Sequence, residues 1–154
     1  MNGVSKLKVT EDVALVTFNR LPADHRRIAE ILGEFAAAKM NIDMISQTTS
    51  QGGDISFSFT VAGNDMVKAL ELLKRTNTEG AAVKPLVSSG NTKIQLYGEE
   101  MRDMYGVAAR AIDVVARTGA QVVIITTSEV DISMLCAGAH VDECILELEK
   151  AFSL

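Results

Sequence analysis

The stretch LYGEEMRDMYGVAARAIDVVARTGAQVVIITTSEVDIS, residues 96–133, decides how the rest of the chain is read. It predicts a strand, a loop opening a helix, a second strand and a tight return into a third. Gly106 stands where the helix begins, and its missing Cβ would let a ligand approach the backbone there. Val107, Ala111, Val114, Val115 and Thr118 recur near the helical period, and Gly119 ends the helix before the apolar run from Val122 to Ile125. From Val130 the period changes to two. Val130, Ile132, Met134 and Cys136 alternate with other residues, which predicts a strand with one buried face.

The same order of elements occurs earlier in the chain. A strand over 13–18 leads to a loop over 21–26, then to a helix with Ile28, Leu32 and Phe35 inward, then to 41–49 and a strand from Asp54. Asp-Ile-Ser recurs at 54–56 and 131–133. Aligning the helix ends sets Asn41 against Gln121 and Ile42 against Val122, while Gln51, Gly52 and Gly53 are additional to the first copy. The chain therefore reads as a duplicated unit.

Composition narrows the function. A net charge of −5 and a pI near 5.0 argue against nucleic acid or an anionic membrane as the main partner, since both need a basic stripe to neutralise phosphates. With no basic-then-apolar leader and no run of about 18 apolar residues, the chain reads as cytoplasmic. Cys136 and Cys144 both fall at inward positions and form neither a disulfide framework nor a metal spacing. His25 and His140 lie far apart without other ligands nearby. No nucleophile and base share a supporting spacing, so neither a cofactor, a metal nor catalysis is expected.

Outside the repeats, residues 3–10 hold Val4, Leu7 and Val9 in an extended pattern. After Val61, Asn64 or Asp65 is placed to cap a helix with Val67, Leu70 and Leu73 inward, and 76–82 reads as a connection. Residues 83–87 suit only an edge strand because Pro85 lacks an N–H. The last helix carries Val141, Cys144, Ile145, Leu148 and Phe152. Each unit thus reads β-α-β-β-α, and the split β-α-β arrangement needs a fourth strand to cover its sheet edge. For the second unit residues 3–10 are expected to supply it. The expected class is α+β, with two ferredoxin-like βαββαβ units: one over 11–90, the other over 91–154 together with 1–10.

The segment at 98–110 resembles the loop and helix of an ACT domain, in particular the second ACT domain of aspartokinases, whose pattern is G-x-G-M-R-S-x-P-G-V-A-A-K. Met101-Arg102 and Gly106-Val107-Ala108-Ala109 match it. Thr127-Ser128-Glu129 followed by Asp131-Ile132-Ser133 resembles the family's S-T-S-E-I-x-I-S. Asn41-Ile42-Asp43-Met44-Ile45 with Gln47 resembles its N-I-D-M-x-x-Q. The likeness runs over nearly the whole chain and includes Gly3-Val4. There are departures: Tyr105 replaces a proline, and the first-repeat loop reads Pro22-Ala23-Asp24-His25-Arg26 where the family has P-D-K-P-G. The resemblance implies an amino acid effector, lysine or threonine in the family, a homodimer, and regulation of an amino-acid biosynthetic enzyme rather than catalysis.

An amino acid needs amides for its carboxylate, acceptors for its ammonium and a wall for its side chain. The helix-start loops at Pro22, Ala23 and Asp24 and at Met101, Arg102 and Asp103 meet the first need. Facing strand starts at Asn41, Ile42 and Asp43 with Gln47, and at Gln121 and Val122, meet the second, and Ser128 and Glu129 flank the hairpin. The expected site sets the helix-start loop of one unit against the strand start of the other, with Gly106 in the working half. Two rivals share the fold. Gly106-Val107-Ala108-Ala109-Arg110 matches the G-V-x-x-R pattern of acylphosphatases, and Phe57 and Phe59 would have to lie outward to stack on RNA. A dimerisation module without a working pocket is the remaining alternative.

Overall fold

The computed structural model describes residues 2–76 and 84–154. Its elements are β1 Lys6–Pro22, α1 His25–Ala37, β2 Ile45–Gln47, β3 Asp54–Ala62, α2 Met66–Thr76, β4 Leu86–Tyr97, α3 Val107–Thr118, β5 Gln121–Thr127, β6 Asp131–Ala137 and α4 Val141–Phe152. Short 3₁₀ turns at Gly63–Asp65 and Glu99–Asp103 precede α2 and α3. Past Thr76 the expected connection, with Val83, lies outside the described residues; β4 begins just after Pro85. The chain divides into two compact units. One is Asp12–Gly90, and the other joins the opening residues to Glu11 with Asn91–Leu154.

In the Asp12–Gly90 unit neighbouring strands run β2, β3, β1, β4. β1 and β3 pair antiparallel from Val13 with Ala62 to Pro22 with Asp54, interrupted by a bulge between Phe18 and Leu21. The sheet face carrying Val16, Phe18, Leu21, Ile55, Phe57, Phe59 and Val61 is covered by Ile28, Ile31 and Phe35 of α1 and by Ala69, Leu72 and Leu73 of α2. Phe35 meets Phe59 edge-on with centroids 4.9 Å apart, a geometry that adds about 1 kcal/mol to the burial of each ring. Phe57 and Phe59 are thus core residues, as their alternation demands, and offer no surface for bases. On α2 the inward stripe is not the one read from the sequence: Val67 is exposed, while Met66 and Ala69 face the sheet with Leu73.

In the other unit the neighbours run β5, β6, β4 and then the leading part of β1, the same order as in the first. The opening residues therefore supply the fourth strand that this half of the chain lacks. The Ser5 N–H donates to the Tyr97 carbonyl at 2.8 Å. Asn2 donates to the Phe152 carbonyl, and its own Oδ1 accepts from the Val4 N–H at 3.0 Å. A Cβ on Gly98 would stand 1.8 Å from the Gly3 carbonyl oxygen, so only glycine fits beside this segment. Residues 6–10 and 13–18, read in separate segments from the sequence, belong to one 17-residue strand with Asp12 at φ 54°, and residues 3–5 precede it. Val107, Ala111, Val114, Val115 and Thr118 of α3 are buried, as are Val141, Cys144, Leu148 and Phe152 of α4. They cover Ile94, Leu96, Ile132, Met134 and Cys136. Ser133 and Leu135, on the opposite face of β6, are buried too, so that strand has two buried faces rather than the one its alternation implies.

Candidate functional site

A cavity of about 600 Å³ opens where α3 begins. The 3₁₀ turn contributes Met101, Arg102 and Asp103, the loop contributes Met104 and Gly106, and α3 contributes Val107 and Ala108. Across from them stand Thr127, Ser128 and Glu129 of the β5–β6 hairpin, with Ile132 behind. Six of the residues singled out from the sequence therefore share one cavity: Met101, Arg102, Asp103, Gly106, Ser128 and Glu129.

Gly106 is what shapes its floor. It precedes α3 at φ 84°, a left-handed conformation that costs a side-chain-bearing residue about 1–2 kcal/mol, and no side chain caps the helix. The leading N–H groups of α3 thus lack a side-chain acceptor while facing a cavity, with the positive end of the helix dipole behind them. Such a terminus accepts a carboxylate or another small anion. Opposite, Ser128 is fixed by its own turn: its N–H donates to the Asp131 carbonyl at 2.9 Å and its Oγ accepts from the Val130 N–H at 3.3 Å.

Charge is concentrated at the rim. Arg102 lies 3.8 Å from Glu99 and 3.7 Å from Glu129, tying the 3₁₀ turn to the hairpin. Its side chain is 55% exposed and that of Glu129 78%, so the pair is screened by water and is worth no more than about 1 kcal/mol. The Tyr97 hydroxyl donates to the Glu99 carboxylate, and this hydrogen bond raises the tyrosine pKa above its ordinary value, with burial and the Glu99 charge adding to it.

Each remaining predicted residue has its place within its own unit. Pro22 closes β1, the Ala23 N–H donates to the Gly53 carbonyl at 2.9 Å, and Asp24 caps α1 by accepting from the Arg26 N–H at 2.9 Å. The expected loop over 21–26 is therefore short, since Leu21 and Pro22 belong to the strand. Asn41, Ile42 and Asp43 approach β2 without entering it, and the Asp43 N–H donates to the Thr60 carbonyl at 3.2 Å. Gln47 ends β2 and is exposed. Gln121 and Val122 start β5, about 20 Å of extended chain from the hairpin end that lines the cavity. Met104, Val107, Ala108, Thr127 and Ile132 are lining residues not picked out from the sequence as site residues. For Val107 and Ile132 the core periodicity masked the second role, and Thr127 was visible only as part of its motif.

Arg110, which an acylphosphatase would aim at phosphate, instead donates to the Ala151 carbonyl and lies over the Phe152 ring at 5.2 Å. Among the described residues no group of three or more His, Cys, Asp or Glu is placed to hold a metal, and no helix is long and apolar enough to cross a membrane. Burial, helped by the neighbouring Cys144, pushes the Cys136 thiol up to about 12, so neither cysteine is a poised nucleophile.

A duplicated split β-α-β unit with a glycine-opened helix start is the architecture of a known regulatory module, and the comparisons agree. A family model described as the ACT domain matches residues 27–76 and 94–152, and the chain belongs to that family. It is similar to the regulatory part of aspartokinases. The aspartokinase of Pseudomonas aeruginosa is 30% identical over 98% of this chain, which spans only 37% of that protein. A crystal structure of aspartokinase alpha and beta subunits matches at 30% identity with a TM-score of 0.84, over 98% of this chain and 99% of the matched one. The ligand-free regulatory subunit of aspartate kinase from Thermus thermophilus shares the fold at 24% identity, with a TM-score of 0.88, 97% of this chain covered and 99% of that one.

Proposed function

We propose that the chain is an amino-acid-binding regulatory module of the aspartokinase type, with its effector seated at the start of α3. The observation that carries this is the uncapped, glycine-opened terminus of α3 facing a cavity of about 600 Å³. The effector's carboxylate lies on the leading α3 amides, and its ammonium lies toward Asp103 and Glu129. An amino acid of roughly 10 heavy atoms, at about 0.6 kcal/mol each, reaches a Kd of tens of micromolar, suited to sensing a metabolite. The test is a thermal-shift screen of the common amino acids followed by calorimetry. A ligand at about 100 times its Kd adds about 2.7 kcal/mol to stability. No shift and no heat at millimolar ligand would refute the assignment.

Two partners go with this reading. The first is a second copy of the chain: β5 is an edge strand whose Val123 and Ile125 are exposed and whose seven residues carry no charge, an edge that invites pairing. Light scattering should return a homodimer at micromolar concentration, and a monomer would count against it. The second is an amino-acid biosynthetic enzyme, an aspartokinase by the likeness to its alpha and beta subunits. Pull-down with the aspartokinase catalytic region, with and without effector, tests that partner.

A further inference from the structure

Below its charged rim the cavity has an apolar wall. Val107, Met104 and Met101 converge on one point, with atoms 2.8, 3.4 and 3.7 Å from where a Cβ on Gly3 would stand, and Ile132 joins them from β6. The opening segment thus backs this wall and holds the methionines in place. Met101 and Met104 are only half-buried, so each presents part of a flexible, polarisable side chain to the cavity. Two kinds of group therefore compete to read an effector's side chain. Charges at the rim are exposed and already engaged, Arg102 with Glu99 and Glu129, and an exposed ion pair changes binding by about fivefold at most. An apolar wall discriminates by about 10- to 200-fold for each methylene it accepts or leaves out. The wall wins.

We infer that the effector is an amino acid with an aliphatic or thioether side chain, of the size of leucine or methionine, and not a basic or hydroxylated one. This rests on the reading of the cavity as the effector site. Threonine is too short to cover both methionines, and a hydrogen bond from its hydroxyl to the exposed Ser128, whose Oγ already accepts from the Val130 N–H, replaces one to water. Lysine would lay its stem on the same wall, but its ammonium would emerge among carboxylates that water screens. Calorimetry of the full chain against leucine, methionine, lysine and threonine separates the cases. Leucine or methionine should bind at least tenfold tighter than the other two, and Met104→Ala should remove that preference while circular dichroism stays unchanged. Should Met104→Ala not fold, Met101→Ala provides the same readout. Tighter binding of lysine or threonine, or a preference that survives both substitutions, overturns the inference and leaves the effector site standing. No heat from any of the four, nor from the remaining common amino acids, removes the effector site and this inference with it.

Discussion

The two units begin their first helices in opposite ways. At α1 the chain provides its own anion: Asp24 accepts from the Arg26 N–H and caps the helix from within the unit. At α3 the residue before the helix is Gly106, in a left-handed conformation with no side-chain cap, and a cavity lies in front of it. Duplication has thus produced one helix start that is closed by its own sequence and one that is left for something else to close. A cap is worth about 1 kcal/mol to its helix, so omitting one has a cost that a bound carboxylate offsets.

The largest expected effect concerns what holds the second unit together. Gly98→Ala puts a methyl group 1.8 Å from the Gly3 carbonyl oxygen, where backbone rather than a flexible side chain must give way. A loss of about 3 kcal/mol is expected, confined to this unit. Both cysteines report it, because Cys136 and Cys144 lie in this unit's core and none lies in the other. Thiol labelling should be slow in the parent and fast in Gly98→Ala, and equal rates would show that the opening strand is not needed. The same thiols predict a pH dependence. With the Cys136 pKa raised from 9.0 to about 12, the folded state keeps a proton that the unfolded chain releases. The stabilisation is therefore intact below pH 9 and is lost as pH rises toward 12. Thermal melts across that range should fall less steeply in Cys136→Ala.

Next in size is Gly106→Val. The added Cβ meets no atom within 4 Å, and the left-handed backbone costs about 1–2 kcal/mol. Ligand binding should disappear while the unit stays folded. Gly106→Asn, which tolerates the left-handed region, should retain the fold at lower cost. If Gly106→Val binds amino acids as the parent does, the open helix start is not the site.

How much of this was legible follows from where each signal sits. The α3 stripe could be read to the residue because one amphipathic helix on one sheet has a single buried face. The crossing of the opening strand followed from counting strands against an edge that needs covering. The phase of α2 did not follow, since Val67, Leu70 and Leu73 are spaced as helically as the observed Met66, Ala69 and Leu73, and spacing alone does not choose between them. Of the residues that line the cavity, those of the turn and hairpin were legible through their motifs. Met104 was not, because a half-buried methionine beside a cavity looks like any other.

A smaller effect tests the closed helix start. Asp24→Ala removes the side-chain hydrogen bond that caps α1 and should cost about 1 kcal/mol. It leaves α1 without its side-chain cap, and destabilisation by denaturant titration should come with no gain in amino acid binding. New binding would mean that an uncapped terminus alone suffices.

The smallest expected effect is at Arg102, and it separates charge from architecture in the open helix start. Arg102 bridges Glu99 at 3.8 Å and Glu129 at 3.7 Å with a side chain 55% exposed. Water screens both contacts, so Arg102→Ala should change stability by about 0.5 kcal/mol or less, and less still in high salt. Tyr97 supplies a second readout. Its hydrogen bond to Glu99 raises its pKa, and the Arg102 charge opposes that rise, so removing the arginine should move Tyr97 ionisation further up. Tyrosinate absorbance in a Tyr105→Phe background isolates Tyr97, since the chain has two tyrosines and no tryptophan. A stability loss well above 1 kcal/mol, or a downward shift of Tyr97, would show that the rim holds the site together electrostatically. The expected outcome leaves that task to Gly106, the two methionines and the opening strand behind them.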